Sequence, residues 1–157
     1  MPQRVAYRTR VRPEWIDHNG HMNVAYFVLA FDEATDDVYE EWGLGLDHPG
    51  ISGCSVFTLG MNIDYLGELF EGDEIRVETA LIDCDSKRIH YVHEMFRGET
   101  DSTVATNECL AMNVDLNSRK SRPFSNAVQQ CLGKRLISGP RPKCAGRALG
   151  IRRGKPG

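Results

Sequence analysis

Long apolar runs are missing from this sequence of 157 residues. No stretch approaches the roughly 18 to 20 apolar residues that a membrane span needs, and the N-terminal segment MPQRVAYRTR has no apolar core of signal-peptide type. The predicted location is therefore the cytoplasm, with no membrane partner. A hydrophobic content of 41% and a length near the usual domain size indicate one globular domain.

Paired cysteine motifs are also missing. The cysteines are odd in number, widely scattered and without a Cys-x-x-Cys pair, so we expect reduced thiols rather than a disulfide framework or a zinc site. His18 and His21 lack a distant third ligand at suitable spacing, so no metal is predicted. The five cysteines are Cys54, Cys84, Cys109, Cys131 and Cys144.

Acidic residues are absent from the last twenty positions, 138–157, which carry six of the 19 basic residues. The segment 1–137 therefore keeps 13 basic against 22 acidic residues, a net charge of −9. An acidic body repels phosphate backbones, so nucleic acid is not an expected partner. The Gly- and Pro-rich tail has no apolar periodicity, which predicts a domain over 1–137 and a disordered basic extension over 138–157.

Alternating apolar residues predict five strands, and a three- and four-residue apolar spacing predicts one long helix. The helix should span about 23–42, with Asn23 as its N-cap and Gly43-Leu44 as its C-terminal cap. We expect a loop over 43–53 and a short terminal helix over 124–136. The predicted strands cover 4–12, 54–66, 73–83, 88–97 and 103–116, and the apolar face of the helix comprises Val24, Phe27, Phe31, Ala34, Val38 and Trp42.

The order of these elements is strand, long helix and four strands, with no internal repeat and no strand-helix alternation that would build a parallel sheet. The fold class is therefore α+β. A helix with one strong apolar stripe must bury that stripe against one face of the antiparallel sheet, and the sheet must curve around it.

Polar residues are concentrated immediately before the long helix, in Asp17-His18-Asn19-Gly20-His21-Met22-Asn23. Free backbone N–H groups and the positive end of the dipole at a helix start stabilise a developing oxyanion. A carboxylate a few residues upstream can attack a carbonyl held there or activate water. Gly20 allows a positive φ or a close approach to a ligand. The alternative is that Asp17 and Asn23 are ordinary turn and capping residues.

This stretch resembles the hotdog-fold thioesterase superfamily, in particular its 4-hydroxybenzoyl-CoA thioesterase-like branch. The shared pattern Asp-x-x-Gly-His-(Val/Met)-Asn-x-x-Tyr is met by residues 17–26, and the order of elements also matches a long central helix wrapped by a curved five-stranded antiparallel sheet. The resemblance implies hydrolysis of acyl-CoA thioesters at sites between the subunits of a homodimer or a dimer of dimers. It implies no cofactor, because CoA is part of the substrate.

The resemblance also implies roles for individual residues. Asp17 is the catalytic carboxylate, and the backbone N–H of Asn23 or Val24 polarises the thioester carbonyl. The side chains of His21 and Asn23 orient the substrate, the water or the loop. The expected substrate-binding residues are Asn19, Gly20, Val24 and Tyr26; Asn19 enters through a further similarity to plant acyl-ACP thioesterases. Related hotdog enzymes use a helix carboxylate instead of the loop aspartate, which makes Glu33 or Asp36 an alternative; the simpler interpretation of both is that they are solvated helix acids.

Within that superfamily, WIDHNGHMNVAYFVLAFDEATD resembles the thioesterase domain that some bacteria fuse to carnitine dehydrogenase, which implies betainyl-CoA as a substrate. Aromatic residues such as Trp15, Tyr26 and Trp42, together with the helix acids, would suit a trimethylammonium group. Two other functions stay open, an acyl-CoA hydratase or dehydratase and a non-catalytic acyl-CoA-binding domain. In the hydratases the histidine lies five residues after the aspartate, whereas Asp17 and His21 are four apart.

Overall fold

The computed structural model describes residues 4–146, 150–151 and 153–154. The elements are β1 (Arg4–Arg10), a 3-10 helix (Pro13–Trp15), α1 (Val24–Glu41), α2 (His48–Ser52), β2 (Cys54–Tyr65), β3 (Glu74–Cys84), β4 (Arg88–Arg97), β5 (Thr103–Asp115) and α3 (Asn126–Arg135). The strands form one sheet in the order β1-β3-β4-β5-β2, and every neighbouring pair is antiparallel. The α+β hotdog prediction is confirmed, and so are the predicted strands and the two predicted helices.

Helix α1 packs along one face of this sheet. Its N-terminal half contributes Phe27 and Phe31 to a core cluster that also contains Trp15 and Met22. Its C-terminal half contributes Val38 to a second cluster, which Trp42 joins just after the helix. The apolar stripe therefore organises the core, as the periodicity predicted.

The caps of α1 form where they were predicted. The Asn23 side chain accepts a hydrogen bond from the N–H of Ala25 at 2.9 Å, and the helix ends before Gly43, whose φ of 75° favours glycine. The N–H of Leu44 then donates to the carbonyl of Tyr39 at 2.8 Å. All of these hydrogen bonds join residues of α1 or its immediate neighbours, so both ends of the helix are determined locally.

Two local predictions are wrong. Val24 was placed on the buried face of the helix but is 55% exposed, because Trp15 and Met22 fill the core at the helix head. The predicted loop 43–53 contains the one-turn helix α2, in which Pro49 occupies the first turn and Gly53, with a φ of 72°, follows the last residue.

Strand β2 forms an edge of the sheet and remains open on one side. It was predicted to be half-buried, and its apolar side chains are indeed only partly covered. Their exposed fractions run from 40% to 51%, in Phe57, Leu59, Met61 and Tyr65. A small cavity separates this apolar edge from α1.

The described part of the tail lies against the opposite face of the sheet. Cys144 and Ala145 pack on a small apolar cluster formed by Ala80, Ile82 and Val92. Arg153 donates two hydrogen bonds to the carboxylate of Asp83. These contacts concern only the described positions of 138–157, and the disorder predicted for that segment stays a prediction.

Candidate active site

A tight turn presents Asp17 at the head of α1. The N–H of Gly20 donates to the carbonyl of Asp17 at 3.0 Å, and the N–H of Asp17 donates to the carbonyl of His21 at 3.2 Å. Gly20 has a φ of +80°, a conformation that costs a side-chain-bearing residue free energy. The glycine of the motif is therefore required by the backbone of the turn.

The carboxylate of Asp17 receives one hydrogen bond on each oxygen. The backbone N–H of Asn19 donates to Oδ1 at 2.8 Å, and the side-chain amide of Asn23 donates to Oδ2, also at 2.8 Å. The Asn19 N–H, followed by the Asn23 amide, lowers the pKa of Asp17, and the nearby His18 and His21 act in the same direction. Asp17 is thus an ionised carboxylate with a fixed orientation.

The start of α1 offers one unpaired backbone donor beside this carboxylate. The N–H of Asn23 is occupied by the carbonyl of Trp15 at 2.9 Å, and the N–H of Ala25 is occupied by the Asn23 side chain. The N–H of Val24 between them has no hydrogen-bond partner in the part of the chain that the structure describes. Of the two donors expected from the sequence, only that of Val24 is free to bind an oxyanion at the positive end of the helix dipole.

His21 is joined to the loop rather than to Asp17. Its Nδ1 lies 3.1 Å from the carbonyl oxygen of Met22, and its Nε2 lies 3.8 Å from a carboxylate oxygen of Glu68. The structure therefore brings Asp17, Asn19 and Asn23 into direct contact, and His21 lies beside this group without contacting the Asp17 side chain. Glu68 was missed from the sequence, since it lies 47 residues further along the chain.

Tyr26 stacks on Trp15, with ring centroids 5.5 Å apart and an angle of 11° between the planes. Trp15 is 1% exposed, and its carbonyl anchors the N–H of Asn23. Tyr26 therefore braces the segment that holds the helix head. Tyr65, which the motif does not include, donates from its hydroxyl to the carbonyl of Val24 at 3.3 Å.

The aromatic side chains considered for a trimethylammonium group do not converge. Trp15 and Trp42 are each 1% exposed and belong to different core clusters. The helix acid Glu33 accepts a hydrogen bond from the Tyr7 hydroxyl at 2.5 Å and faces Arg12 at 3.6 Å. Asp17 remains the carboxylate that lies beside a free helix N–H.

Three cavities lie along α1, and Asp17 lines none of them. One of about 570 Å³ lies at the C-terminal end of the helix between α2 and α3, and one of about 440 Å³ lies beside the C-terminal half of α1. A smaller one of about 290 Å³ lies between α1 and the edge strand β2. The carboxylate itself lies at the surface of the chain.

The residues that the structure describes contain no group of three His, Cys, Asp or Glu side chains placed to hold a metal ion. No helix among them has the length and apolar content needed to cross a membrane.

A family model described as the thioesterase-like superfamily matches residues 11–132. The chain belongs to this superfamily. The match includes the whole turn from Asp17 to Asn23, all of α1 and strands β2 to β5, so the resemblance inferred from the motif is confirmed.

Individual relatives agree with this assignment. The chain is 34% identical over 148 residues to a betainyl-CoA thioesterase of Pseudomonas aeruginosa, covering 92% of this chain and 93% of that protein. A structure from Pseudomonas putida KT2440, described as a candidate thioesterase, is 32% identical, with a TM-score of 0.79 and coverage of 98% and 99%. A Staphylococcus aureus protein in complex with CoA is 26% identical, with a TM-score of 0.82 and coverage of 94% of both chains.

Proposed function

We propose that this protein hydrolyses acyl-CoA thioesters to a free acid and CoA, and that betainyl-CoA is the first substrate to test. The observation that carries the proposal is the pairing of the oriented Asp17 carboxylate with the unpaired N–H of Val24 at the head of α1. The acyl group is suggested by the Pseudomonas aeruginosa relative, whose name specifies betainyl-CoA.

The reaction follows from these two groups. The thioester carbonyl oxygen accepts the N–H of Val24, where the helix dipole stabilises the negative charge that develops during attack. Asp17 attacks the carbonyl carbon itself or removes a proton from the attacking water. The C–S bond then breaks, and CoA leaves as a thiolate that takes up a proton. If water attacks, the free acid forms directly. If Asp17 attacks, a mixed anhydride between the acyl group and Asp17 forms, and water hydrolyses it to the free acid and the restored carboxylate.

The remaining motif residues position these groups. Asn23 holds Asp17 and caps α1, and Asn19 holds the other carboxylate oxygen. Gly20 allows the backbone of the turn, and Tyr26 supports the turn by stacking on Trp15. His21, which lies beside Asp17, contacts the bound substrate. No residue outside this chain's own loop and helix is needed for the attack.

The substrate-binding walls come from a second copy of the chain. Apolar side chains of β2 remain about half exposed along an unpaired strand edge, and such edges pair readily with other strands. We propose a homodimer, or a dimer of dimers, in which two β2 edges meet and the active sites lie between subunits. We also propose that the protein acts in the cytoplasm.

Free-thiol release from short, aromatic and betainyl CoA esters tests the function, with wild type compared with Asp17→Asn. We expect release by wild type and a loss of at least about a thousandfold in the variant, which keeps the shape but not the charge of the carboxylate. Full activity of Asp17→Asn would refute the role of Asp17. Loss of enoyl absorbance from crotonyl-CoA without thiol release would indicate a hydratase instead, and thermal stabilisation by CoA esters without turnover would indicate a binding domain.

A single-turnover reaction in ¹⁸O-labelled water separates the two roles of Asp17. Activation of water places labelled oxygen in the first product. Direct attack forms a mixed anhydride between the acyl group and Asp17, and its hydrolysis at the Asp17 carbonyl carbon places an unlabelled Asp17 oxygen in the first product and the label in the Asp17 side chain. An unlabelled first product would therefore show direct attack. The first-turnover product is measured by mass spectrometry.

A further inference from the structure

The cavity between α1 and β2 is small and lined mainly by apolar groups, with a few polar side chains among them. Its volume of about 290 Å³ equals roughly ten water molecules at liquid density. It would therefore hold a short acyl group and not the whole of CoA. Both aromatic and hydroxyl side chains line it, including Phe31, Thr35, Thr58 and Tyr91.

One side chain in this cavity has an unsatisfied hydrogen-bond acceptor. Asn107 of β5 is 1% exposed, and its amide nitrogen donates to the sulfur of Met61 at 3.4 Å. Its Oδ1 has no hydrogen-bond partner. A buried amide oxygen without a donor is unfavourable, and a ligand group with positive charge or positive polarity would relieve it.

An acidic side chain that makes no ion pair with any described residue also lines the cavity. Asp32 is exposed on α1, a helix that contains no basic residue. Two other acids of this helix do have ion-pair partners, since Glu33 faces Arg12 and Glu41 faces Arg135. The cavity has no basic residue among its described lining residues, so the negative charge of Asp32 is not compensated locally.

The neighbouring Asp36 shows the effect of this charge. Partial burial, followed by the charges of Asp32 and Asp37, raises the pKa of Asp36. This flank of α1 therefore has a negative potential that attracts cations.

The cavity is aligned with the proposed oxyanion site. Val24, Val28, Asp32 and Thr35 follow one another at steps of four, four and three residues, so they form one stripe along the helix. Val28 lies about 6 Å along the axis from Val24, and Asp32 about 12 Å, with its side chain leaning back toward the helix start. An acyl group whose carbonyl binds the Val24 N–H can extend along this stripe toward Asp32.

We propose that this cavity selects acyl groups that carry a positive charge, with Asp32 and the Oδ1 of Asn107 as the recognising groups. The ligand class is quaternary-ammonium or protonated amino acyl chains. The lining aromatic rings, Phe31 and Tyr91, add favourable faces for such a cation. This assignment rests on the thioesterase function proposed above and concerns which acyl group the enzyme accepts.

The test uses pairs of CoA esters that have the same shape and differ only in charge. Betainyl-CoA is compared with 3,3-dimethylbutyryl-CoA, in which carbon replaces the ammonium nitrogen. A longer pair, 4-trimethylammoniobutyryl-CoA and 5,5-dimethylhexanoyl-CoA, covers the distance to Asp32. Because the cation also activates the betainyl carbonyl chemically, the quantity to compare is the cationic-to-neutral ratio of kcat/KM in each variant.

We expect wild type to prefer the cationic ester of at least one pair and Asp32→Asn to lower that ratio at least about tenfold, mainly through KM. Asn107→Leu should lower the same ratio by removing the free acceptor. Asp37→Asn is the matched control, because it removes an acid from the same helix that does not line this cavity, and its ratio should stay within about twofold of wild type.

The outcomes separate the two proposals. If wild type releases thiol but the ratio is unchanged in Asp32→Asn for both pairs, the cation site is refuted while the thioesterase function stands. An equal fall of the cationic-to-neutral ratio of kcat/KM in Asp37→Asn would also refute the cation site, since the effect would then come from the overall charge of the helix. If wild type releases thiol from none of the four esters and from no other CoA ester, both proposals fail.

Discussion

Asn23 performs two tasks with one side chain, and substitutions can separate them. Its Oδ1 caps α1 through the N–H of Ala25, and its Nδ2 holds the Oδ2 of Asp17. Serine retains the capping oxygen but is too short to reach Asp17. Alanine loses both contacts. Aspartate keeps the cap and places a like charge against Asp17.

The expected effects on stability follow from the cap alone. Asn23→Ala should lower the free energy of unfolding by about 1 kcal/mol, the usual cost of losing an N-cap. For a domain of this size that corresponds to a Tm decrease of roughly 2–4 °C. Asn23→Ser should change the Tm by less than about 1 °C, because serine caps helices nearly as well as asparagine.

The expected effects on activity follow from Asp17. Asn23→Ser and Asn23→Ala should lower kcat by similar factors, about 10- to 100-fold, since a misplaced reacting group costs this much. Asn23→Asp should be the least active. The Asn23→Asp substitution also removes a hydrogen-bond donor that lowers the pKa of Asp17 and adds a negative charge beside it. Both changes raise the pKa of Asp17, so the acid limb of the kcat/KM profile of this variant should move to higher pH.

Thermal unfolding and thiol release measured on the same preparations check both expectations. Asn23→Ser is the decisive variant, because its expected stability equals that of wild type and any loss of activity must then come from Asp17. A kcat within twofold of wild type in that variant would refute the positioning of Asp17 by Asn23. A Tm loss in Asn23→Ser as large as in Asn23→Ala would refute the separation of the two tasks.

Three other regions give further predictions. Burial lowers the pKa of His93 to about 3, below the 6.5 of an unfolded histidine, so the unfolded state binds the extra proton and stability falls as pH drops below 6.5. In urea titrations between pH 7 and 4.5, wild type should lose about 2–3 kcal/mol more of its free energy of unfolding than His93→Gln. An equal dependence of stability on pH in the two proteins would contradict this. Leu59→Asp places a charge on the exposed β2 edge and should convert the proposed dimer to monomers in sedimentation velocity, with loss of activity; an unchanged mass would place the interface elsewhere. Truncation after Ser138 removes the contacts of Cys144 and Arg153 and should lower the Tm by several degrees, whereas an unchanged Tm would support the disordered tail that composition predicts.

The reaction centre could be predicted from the sequence because its contacts are local. Asp17, Asn19 and Asn23 lie within seven residues, and the capping and turn preferences of these residue types are properties of short segments. The sequence left open whether Asn23 or Val24 supplies the oxyanion donor. The carbonyl of Trp15 decides between them by occupying the N–H of Asn23.

Features that depend on residues outside the segment whose pattern was interpreted could not be predicted. Helix α2 has only five residues and no periodicity, and its His48 is held by Asn113 of β5 through a contact of 2.9 Å. The exposure of Val24 depends on Trp15 and Met22 filling the core at the helix head. In each case the deciding neighbour lies outside the segment whose pattern was interpreted.

The residues proposed for the chemistry meet through local contacts, whereas the residues proposed to choose the substrate meet through contacts between distant segments. The turn and the helix start that hold Asp17 and the free N–H of Val24 are complete within residues 15–26. The cavity proposed to select the acyl group combines Asp32 of α1, Met61 of β2 and Asn107 of β5, which meet only through packing. A substitution in that cavity can change the accepted acyl group without touching Asp17 or Asn23. We therefore expect substitutions of Asp32 and Asn107 to change which acyl charge is accepted while thioester hydrolysis is retained.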